Sequence, residues 1–234
     1  MWPFNRDIKL KKTGLLEGFR ECHCHLLPGV DDGVKKLEDT LAILAHWESV
    51  GVQEVWFTPH VMEDFPNTPE HLQARFQEVQ QAYEGPIRLH LAAENMLDNL
   101  FPERLEKREL LTLWDNHLLV ETSYFNPPLR MEETMEEIKK AGYRPVLAHP
   151  ERYRYMDMAD YRNWKARGVL FQLNFPSLVG AYGPDVQHKA HTLLEKGMYN
   201  LTGSDTHSPG FVHYYLDGKL PRKTVDLLRP LFSR

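Results

Sequence analysis

A repeated order of helix, glycine and short apolar run is the feature that most restricts how this chain of 234 residues can fold. The first copy has an amphipathic helix over 34–50, then Gly51, then an apolar run over 52–60 that ends on a histidine. The other complete copies have their glycine and apolar run at Gly142 and 145–148, Gly168 and 169–174, and Gly197 and 198–202. Helices that alternate with short apolar strands indicate parallel βαβ units, so the pattern predicts an α/β protein.

Two further segments bring the predicted number of strands to six or seven. A helix over 69–83 precedes an apolar run over 87–93, and another apolar run covers 118–120. No segment rich in Pro, Gly or Ser separates these units, which favours a single domain closed into a distorted, TIM-like β/α barrel. The expected boundaries are an N-terminal extension over 1–16, the barrel domain over 17–234, and a closing helix within it over 216–234.

Charge and hydropathy exclude several classes of protein. The 28 basic and 33 acidic residues give a formal net charge of −5, and no run of Lys or Arg forms a stripe that could neutralise successive phosphates of a nucleic acid. No 18 consecutive residues are apolar, so we expect no insertion into a membrane. The start of the sequence does not resemble a signal peptide, which favours a cytoplasmic protein. The sequence neither requires nor excludes an oligomer.

The segment Cys22-His23-Cys24-His25 combines the two cysteines with the strongest local metal-binding signal. Alternation along a strand lets both histidine rings face one ion, with both cysteines facing the other way. A disulfide between residues two apart in a strand would be badly strained, so we expect free, buried thiols. A zinc finger is not indicated, because no second pair of ligands accompanies this one.

Metal-binding residue types stand at the ends of nearly all the predicted strands. In parallel α/β folds the loops after the carboxyl ends of the strands converge on one face, where active sites form. Five histidines and four carboxylates occupy such positions: His23, His25, Asp32, His60, Glu94, Glu121, His149, Asp205 and His207. A purely structural explanation would have to satisfy all nine with hydrogen bonds to protein groups, so we interpret the set as a metal site.

The acidic members of this set favour more than one ion. In Asp31-Asp32 we expect one acid to cap the following helix and the other to bind an ion, and Asp205 and His207 repeat the same-face spacing of the first histidines. Four crowded carboxylates would repel one another unless cations compensated them. Three divalent ions would leave a formal charge of about +2, which attracts a phosphate dianion. Nitrogen and oxygen donors without thiolate suit Mn, Zn or Fe.

Taken together, these residues resemble the polymerase and histidinol phosphatase (PHP) superfamily, and more narrowly the bacterial manganese-dependent tyrosine-protein phosphatases that act on autokinases controlling capsule and exopolysaccharide synthesis. The likeness covers about residues 17–215. It rests on His60, Glu94 and Glu121 and on three segments: Glu-Cys-His-Cys-His-Leu-Leu-Pro-Gly-Val-Asp-Asp-Gly at 21–33, His-Pro-Glu-Arg-Tyr at 149–153 and Ser-Asp-Thr-His at 204–207. The resemblance implies a PHP-type barrel that binds three divalent ions. Manganese is the expected metal, with iron or zinc as alternatives. The implied substrate is a phosphotyrosine protein such as a bacterial tyrosine kinase.

The resemblance also implies roles for individual residues. All nine donors match ligand positions, with Asp32 rather than Asp31 as the binding acid. Arg152 matches an arginine that holds the substrate phosphate. Hydrolysis would proceed by attack of a metal-bound hydroxide, with Arg152 stabilising the developing charge and His207 available as a general acid.

Two positions depart from the family's pattern. Glu21 stands where the family usually has Asp, which leaves open how the first histidines are supported. An arginine that the family carries shortly after the last histidine has no counterpart in 208–215. We therefore expect phosphate binding to rely on Arg152, with Arg154 and His213 as candidate helpers.

Other functions fit many of the same residues. A small-molecule phosphomonoesterase of the histidinol-phosphatase kind would use the same metals, a metal-dependent amidohydrolase also begins with a His-x-His strand, and a metal-binding scaffold would lack catalysis. The motifs at 31–33 and 149–152 favour phosphate over amide chemistry. Five aromatic residues beyond strand ends are candidates to flank an aromatic phosphoester: Tyr124, Phe125, Tyr153, Tyr155 and Phe175.

Overall fold

The computed structural model describes residues 7–232, in which short parallel strands alternate with helices. The strands are β1 Ile8–Lys9, β2 Arg20–Cys24, β3 Glu54–Phe57, β4 His60–Val61, β5 Arg88–Leu91, β6 Glu94–Met96, β7 His117–Glu121, β8 Arg144–Ala148, β9 Leu170–Asn174, β10 Leu201–Gly203 and β11 Lys219–Leu220. The α-helices are α1 Leu37–Ser49, α2 Pro69–Ala82, α3 Phe101–Lys107, α4 Met131–Lys140, α5 Met158–Ala166, α6 Pro184–Glu195, α7 Pro209–Asp217 and α8 Arg222–Phe232. The predicted α/β class is confirmed.

Two parallel sheets contain the strands that position the candidate site. The larger has the order β10-β9-β8-β7-β6-β4, and the smaller has the order β2-β3-β5. The chain passes from the smaller sheet to the larger between β3 and β4, and again between β5 and β6. At this crossing the backbone N–H of Ala92 donates to the carbonyl of Phe57 at 2.8 Å, and that of Glu94 donates to Pro59 at 3.0 Å.

Strand β2 lies beside the end of β10, the last of the parallel strands. The backbone N–H of Asp205 donates to the carbonyl of His23 at 2.7 Å, and that of His25 donates to Thr206 at 2.9 Å. The sheets therefore curl towards each other on both sides, in a single domain compatible with a distorted barrel. No helix within residues 7–232 is both long enough and apolar enough to cross a membrane.

Side chains on the two faces of the strands pack into separate apolar clusters. On β7, Leu118 and Val120 belong to the large core shared with the helices, whereas Leu119 between them belongs to a smaller cluster on the other face. We call this smaller group the inner apolar cluster. Its buried members are Cys22, Trp56, Ala92, Leu113, Leu119, Val146, Ala148 and Leu201.

The segment before α1 is a turn rather than the start of a helix, which corrects the predicted range of 34–50. The backbone N–H of Val34 donates to His25 at 3.0 Å, and the carbonyl of Val34 accepts from Gly29 at 2.9 Å. Because both backbone groups of Val34 bond to residues of the loop, Val34 is not part of the helix, which begins at Leu37. Apolar periodicity identified the helix but not its first turn.

The predicted closing helix over 216–234 is also wrong in part. The segment contains the end of α7, then β11, then α8. Strand β11 pairs antiparallel with β1, which joins residues 8–9 of the predicted N-terminal extension to the body of the protein. Helix α8 buries an apolar stripe that includes Val225 and Leu228. Residues 1–6 of the predicted extension and residues 233–234 lie outside the described residues, and the division at residue 16 stays a prediction.

Candidate metal centre

A cleft of about 430 Å³ lies where the carboxyl ends of the parallel strands meet. Six of the nine predicted donors line it: Asp32, His60, Glu94, His149, Asp205 and His207. The other three, His23, His25 and Glu121, are buried against these six. Most of these side chains stand at or just after the carboxyl ends of parallel strands, which deliver them to the same edge. His60 and Glu94 are the first residues of β4 and β6, just beyond the ends of β3 and β5 where the chain crosses between the sheets, and Asp32 lies in the loop after β2.

The first group of donors consists of His23, His25, Glu94 and Asp205. Glu94 Oε2 lies 3.1 Å from His23 Nε2 and 3.3 Å from His25 Nε2. Asp205 Oδ1 lies 3.3 Å from His25 Nε2 and 3.6 Å from His23 Nε2. Two imidazole nitrogens and two carboxylate oxygens thus point at a common centre.

A second group is formed by His60, Glu94 and Glu121, and its geometry fits a cation better than hydrogen bonding. His60 Nδ1 lies 3.1 Å from Glu94 Oε2 and 2.9 Å from Glu121 Oε1. All three atoms are buried, yet none has a hydrogen bond of acceptable geometry. Burying such polar atoms without a partner is unfavourable, and a divalent ion would satisfy all of them together. His149 Nε2 adjoins this group, 2.9 Å from Glu94 Oε1.

The third group lies at the mouth of the cleft and consists of His25, Asp32, His60 and His207. Asp32 Oδ1 lies 3.3 Å from His207 Nε2 and 3.6 Å from His60 Nε2. The Asp32 side chain is 57% exposed, so solvent reaches this group most readily. Three groups that share members are compatible with more than one ion.

Hydrogen bonds on the far side of the ring turn one nitrogen towards the cleft in three of the five histidines. His25 Nδ1 donates to Asp31 Oδ2 at 2.8 Å, and His23 Nδ1 donates to Gln172 Oε1 at 2.9 Å. His207 Nδ1 donates to a backbone carbonyl at 2.9 Å. Because these bonds hold a proton on Nδ1, each of these rings, when neutral, presents the lone pair of Nε2 to the site.

Asp31 therefore orients a histidine, and neither acid of the Asp31-Asp32 pair caps α1 as expected. Asp31 also accepts from the backbone N–H groups of Gly33 at 2.9 Å and His60 at 3.0 Å. Helix α1 begins after Lys36 without a side-chain cap. Burial alone would raise the pKa of Asp31, but the charge of His25⁺ and the hydrogen bonds from His25 and from the backbone of His60 together hold it well below its usual range.

Opposite charges in the cleft shift the pKa values of both partners. Burial alone would lower the pKa of His23, but the neighbouring carboxylates of Glu94 and Asp205 raise it to about 9. Burial alone would raise the pKa of Glu94, but His23 and His60 hold it well below its usual range. Any cation bound here would displace protons from the histidines, since a metal ligates the neutral ring.

Glu21 supports the backbone of the first histidine rather than its ring. Its Oε1 accepts from the backbone N–H of His23 at 2.9 Å and of Ser204 at 3.0 Å, which ties β2 to the end of β10. Gly203 makes this approach feasible, because a Cβ at that position would lie 2.5 Å from His23 Cβ. Burial raises the pKa of Glu21 to about 7.

The cysteines are free and buried as expected, but they do not share a face. Cys22 packs in the inner apolar cluster and donates to the carbonyl of Thr202 at 2.9 Å. Cys24 packs in the large core and donates to the carbonyl of Trp56 at 3.3 Å. The pairing of β2 with β3 shifts register between Glu21 and Cys24, so simple alternation does not hold along this strand.

Arg152 lines the cleft between two tyrosine rings. Its Cζ lies 4.2 Å from the ring centre of Tyr124 and 4.3 Å from that of Tyr182. Its Nη1 donates to Asp205 Oδ2 at 2.8 Å. The side chain is 19% exposed, which leaves the guanidinium held in place yet open to a ligand in the cleft.

The two candidate helpers of Arg152 do not line the cleft. Arg154 lines a neighbouring cavity, and its guanidinium lies 4.8 Å from the ring centre of Phe125. His213 is exposed on α7 and packs edge-on against His46, with ring centres 4.8 Å apart. Phe211 of the same helix faces the cleft. His213 is two residues further along the helix, so its side chain points almost the opposite way.

Among the aromatic candidates, Tyr124 lines the cleft and the other four lie elsewhere. Tyr153 and Phe175 are buried in the large core, Phe125 is 60% exposed, and Tyr155 lines a different cavity. Five cleft or supporting residues were not singled out from the sequence: Gln172, Asn174, Tyr182, Ser208 and Phe211. Phe211 and Ser208 follow His207 so closely that their proximity could have been noticed.

Comparison with known proteins identifies the family of this chain. The tyrosine-protein phosphatase YwqE of Bacillus subtilis is 27% identical over 195 residues, which are 80% of this chain and 77% of the relative. The tyrosine-protein phosphatase CpsB of Streptococcus pneumoniae is 28% identical over 202 residues, 80% of this chain and 82% of the relative.

A solved structure shares the fold. It comes from a study of YwqE from Bacillus subtilis and CpsB from Streptococcus pneumoniae, described there as unique metal-dependent tyrosine phosphatases. It matches with a TM-score of 0.76 and 23% identity over 91% of this chain and 87% of its own. The family model for capsular polysaccharide synthesis, CpsB/CapC, matches residues 19–212. The chain is therefore a member of the CpsB/CapC family.

Proposed function

We propose that this chain is a metal-dependent tyrosine-protein phosphatase with a PHP-type barrel. The observation that carries the proposal is the convergence of nine nitrogen and oxygen donors in one cleft that also contains Arg152. Membership of the CpsB/CapC family and the names of the relatives support the same activity. We further propose that the donors hold three divalent ions, with manganese the first choice and iron or zinc as alternatives.

The residues of the cleft would have separate roles in phosphate hydrolysis. When bound, divalent ions would supply positive charge for the phosphate and would activate a water molecule as nucleophile. Arg152 would bind a phosphate oxygen and stabilise the charge that develops on it. His207, at the mouth of the cleft, would act as a general acid for the leaving group when its Nε2 carries a proton and not a metal ion.

The walls of the cleft suit an aromatic phosphoester. Tyr124, Tyr182 and Phe211 line it beside Arg152, and they provide apolar surface next to the cationic group. A phenolate leaves readily because its conjugate acid has a pKa of about 10, well below that of an alkyl alcohol. Phosphotyrosine therefore needs less help from a general acid than an alkyl phosphate does.

The family also suggests the setting in which the enzyme acts. We propose a phosphotyrosine protein as substrate, in particular a bacterial tyrosine kinase of capsule or exopolysaccharide synthesis, and a cytoplasmic location. The description of the family as capsular polysaccharide synthesis proteins supports this substrate.

Metal analysis coupled to a phosphatase assay tests the proposal. The purified protein should contain divalent metal and hydrolyse a phosphotyrosyl peptide; chelation should remove the activity and Mn²⁺ should restore it. Histidinol phosphate is the matched comparison substrate, since it presents an alkyl ester to the same site. Faster turnover of histidinol phosphate would replace the proposal with a small-molecule phosphatase. A metal-loaded protein inactive on every aryl phosphate would instead indicate a scaffold.

A further inference from the structure

The two oxygens of the Asp205 carboxylate have different surroundings. Oδ1 faces the donor cluster, 3.3 Å from His25 Nε2. Oδ2 faces away from it and accepts from Arg152 Nη1 at 2.8 Å, from Asn174 Nδ2 at 2.9 Å and from the Tyr182 hydroxyl at 3.3 Å. Asp205 also has a left-handed backbone, with φ of 53°, a conformation that persists only where the surrounding contacts hold the residue in place.

Asn174 and Tyr182 form a linked pair around Oδ2. Asn174 Nδ2 donates to the Tyr182 hydroxyl at 3.1 Å, which leaves the hydroxyl proton free to point at Asp205. Asn174 is fully buried at the carboxyl end of β9. Tyr182 stands in the short loop between Gly180 and Gly183, whose φ angles of 86° and 91° favour glycine.

The geometry points to Asn174 and Tyr182 as positioning residues of the metal centre. Their hydrogen bonds to Oδ2 hold the Asp205 carboxylate in the rotation that presents Oδ1 to the ion. The ring of Tyr182 also packs on Arg152, so one side chain fixes a metal ligand with its hydroxyl and the phosphate-binding arginine with its face. This inference rests on the proposed function, because it assumes that Asp205 binds a metal.

Tyr182 also affects phosphate binding, for which this chain lacks the arginine that the family carries in the segment after His207. With Tyr124 on the opposite face, the ring of Tyr182 confines the guanidinium of Arg152 between two aromatic surfaces. A cation that is held in place loses little conformational freedom when it binds a phosphate. A single, well-fixed arginine is thereby suited to the phosphate-binding role.

Titration of the metal-free protein with Mn²⁺, read by competition with a chromogenic chelator, tests the inference. Tyr182→Phe removes the hydroxyl but keeps the ring, and should weaken Mn²⁺ binding about threefold to tenfold. Asn174→Ala removes both the shorter of the two bonds to Asp205 Oδ2 and the bond from Asn174 to the Tyr182 hydroxyl. This variant should weaken Mn²⁺ binding about tenfold to a hundredfold. Tyr214→Phe is the matched control, since this tyrosine is 51% exposed on α7 and outside the cleft; its affinity should not change.

Steady-state kinetics on an aryl phosphate separates the two roles of Tyr182. At saturating Mn²⁺, Tyr182→Phe should lower kcat with KM changed less than about twofold, whereas Tyr182→Leu, which also removes the ring, should raise KM as well. The inference is overturned if Tyr182→Phe and Asn174→Ala, both folded by their thermal melts, bind Mn²⁺ as the unaltered protein does. If the unaltered protein binds no Mn²⁺, the proposed function itself fails.

Discussion

The inner face of the parallel strands has two regions of opposite character. The apolar half is the inner apolar cluster, and the donor half is the group of nine candidate metal ligands. Leu119 packs in the inner apolar cluster, and Glu121, the next residue on that face, is one of the nine candidate metal ligands. Ala92 and Glu94 repeat this relation across the passage from β5 to β6. A distance of roughly 7 Å along a strand therefore separates an ordinary apolar interior from a cluster of ionisable groups.

The contrast shows how the fold tolerates a costly site. The donor half has buried atoms without hydrogen bonds and two residues with left-handed backbone, His149 and Asp205. The apolar half has Trp56 stacked on His90 at 4.0 Å and edge-on to Trp114 at 4.9 Å. The apolar half stabilises the strands that the donor half distorts, so damage to each half should have a different signature.

The largest effect should come from the donor half of β2. His25→Ala removes a donor common to two of the groups, so kcat/KM on a phosphotyrosyl peptide should fall about 10³- to 10⁴-fold as the metal's stabilisation of the transition state is lost. Cys24→Ala alters the adjacent residue on the core side and should keep most of the activity. The reverse ranking would refute a metal-based reaction.

Damage to the apolar half should appear in stability instead. Trp56→Ala should lower the free energy of unfolding by about 3–5 kcal/mol, measured by urea denaturation, because a large buried side chain is lost. Trp56→Phe, which keeps a buried ring, should lose much less. If Trp56→Ala left stability unchanged but reduced kcat of the folded protein more than a few-fold, the division between the halves would be wrong.

A smaller loss is expected where the cleft meets substrate. Arg152→Lys keeps a positive charge but loses the planar group that stacks between Tyr124 and Tyr182. The lysine ammonium can still donate to Asp205 Oδ2, and Asn174 and Tyr182 still hold that oxygen. We therefore expect kcat/KM for an aryl phosphate to fall about a hundredfold while Mn²⁺ affinity changes much less. An equal loss in both measurements would make Arg152 a support of the metal centre rather than a substrate group.

The smallest effect is expected at His213, which the sequence suggested as a phosphate-binding helper. Because His213 packs on His46 at the protein surface, His213→Ala should leave kcat/KM within about twofold of the unaltered enzyme. A loss of tenfold or more in the same assay would mean that α7 turns towards the cleft when substrate binds.

The rule of strand ends accounts for what could be predicted. Glu121 and His149 could be placed in one cleft because they stand at the ends of short, apolar, parallel strands, so the position along each strand sets the position in space. Glu94 could be placed there because it follows an apolar run, although the structure makes it the first residue of β6 and not the end of one long strand. The loop before α1 could not be predicted, because the hydrogen bonds of Val34 to Gly29 and His25 depend on how the loop folds. Periodicity carries no information about such bonds.

The supporting residues show the same limit more clearly. Gln172 lies in the middle of β9 and reads as an ordinary strand residue, although it accepts from His23, which is 149 positions away. Tyr182 reads as a loop residue between two glycines. Both roles arise from contacts between distant parts of the chain, which no local pattern of hydropathy or spacing reveals.

Several donors belong to more than one group. Glu94 takes part in two of the three, and so do His25 and His60. Each ion would therefore be bound by side chains that its neighbour also holds, so filling one position changes the affinity of the next. Apparent constants from a metal titration will describe the cleft as a whole, and altering a single donor will change more than one of them.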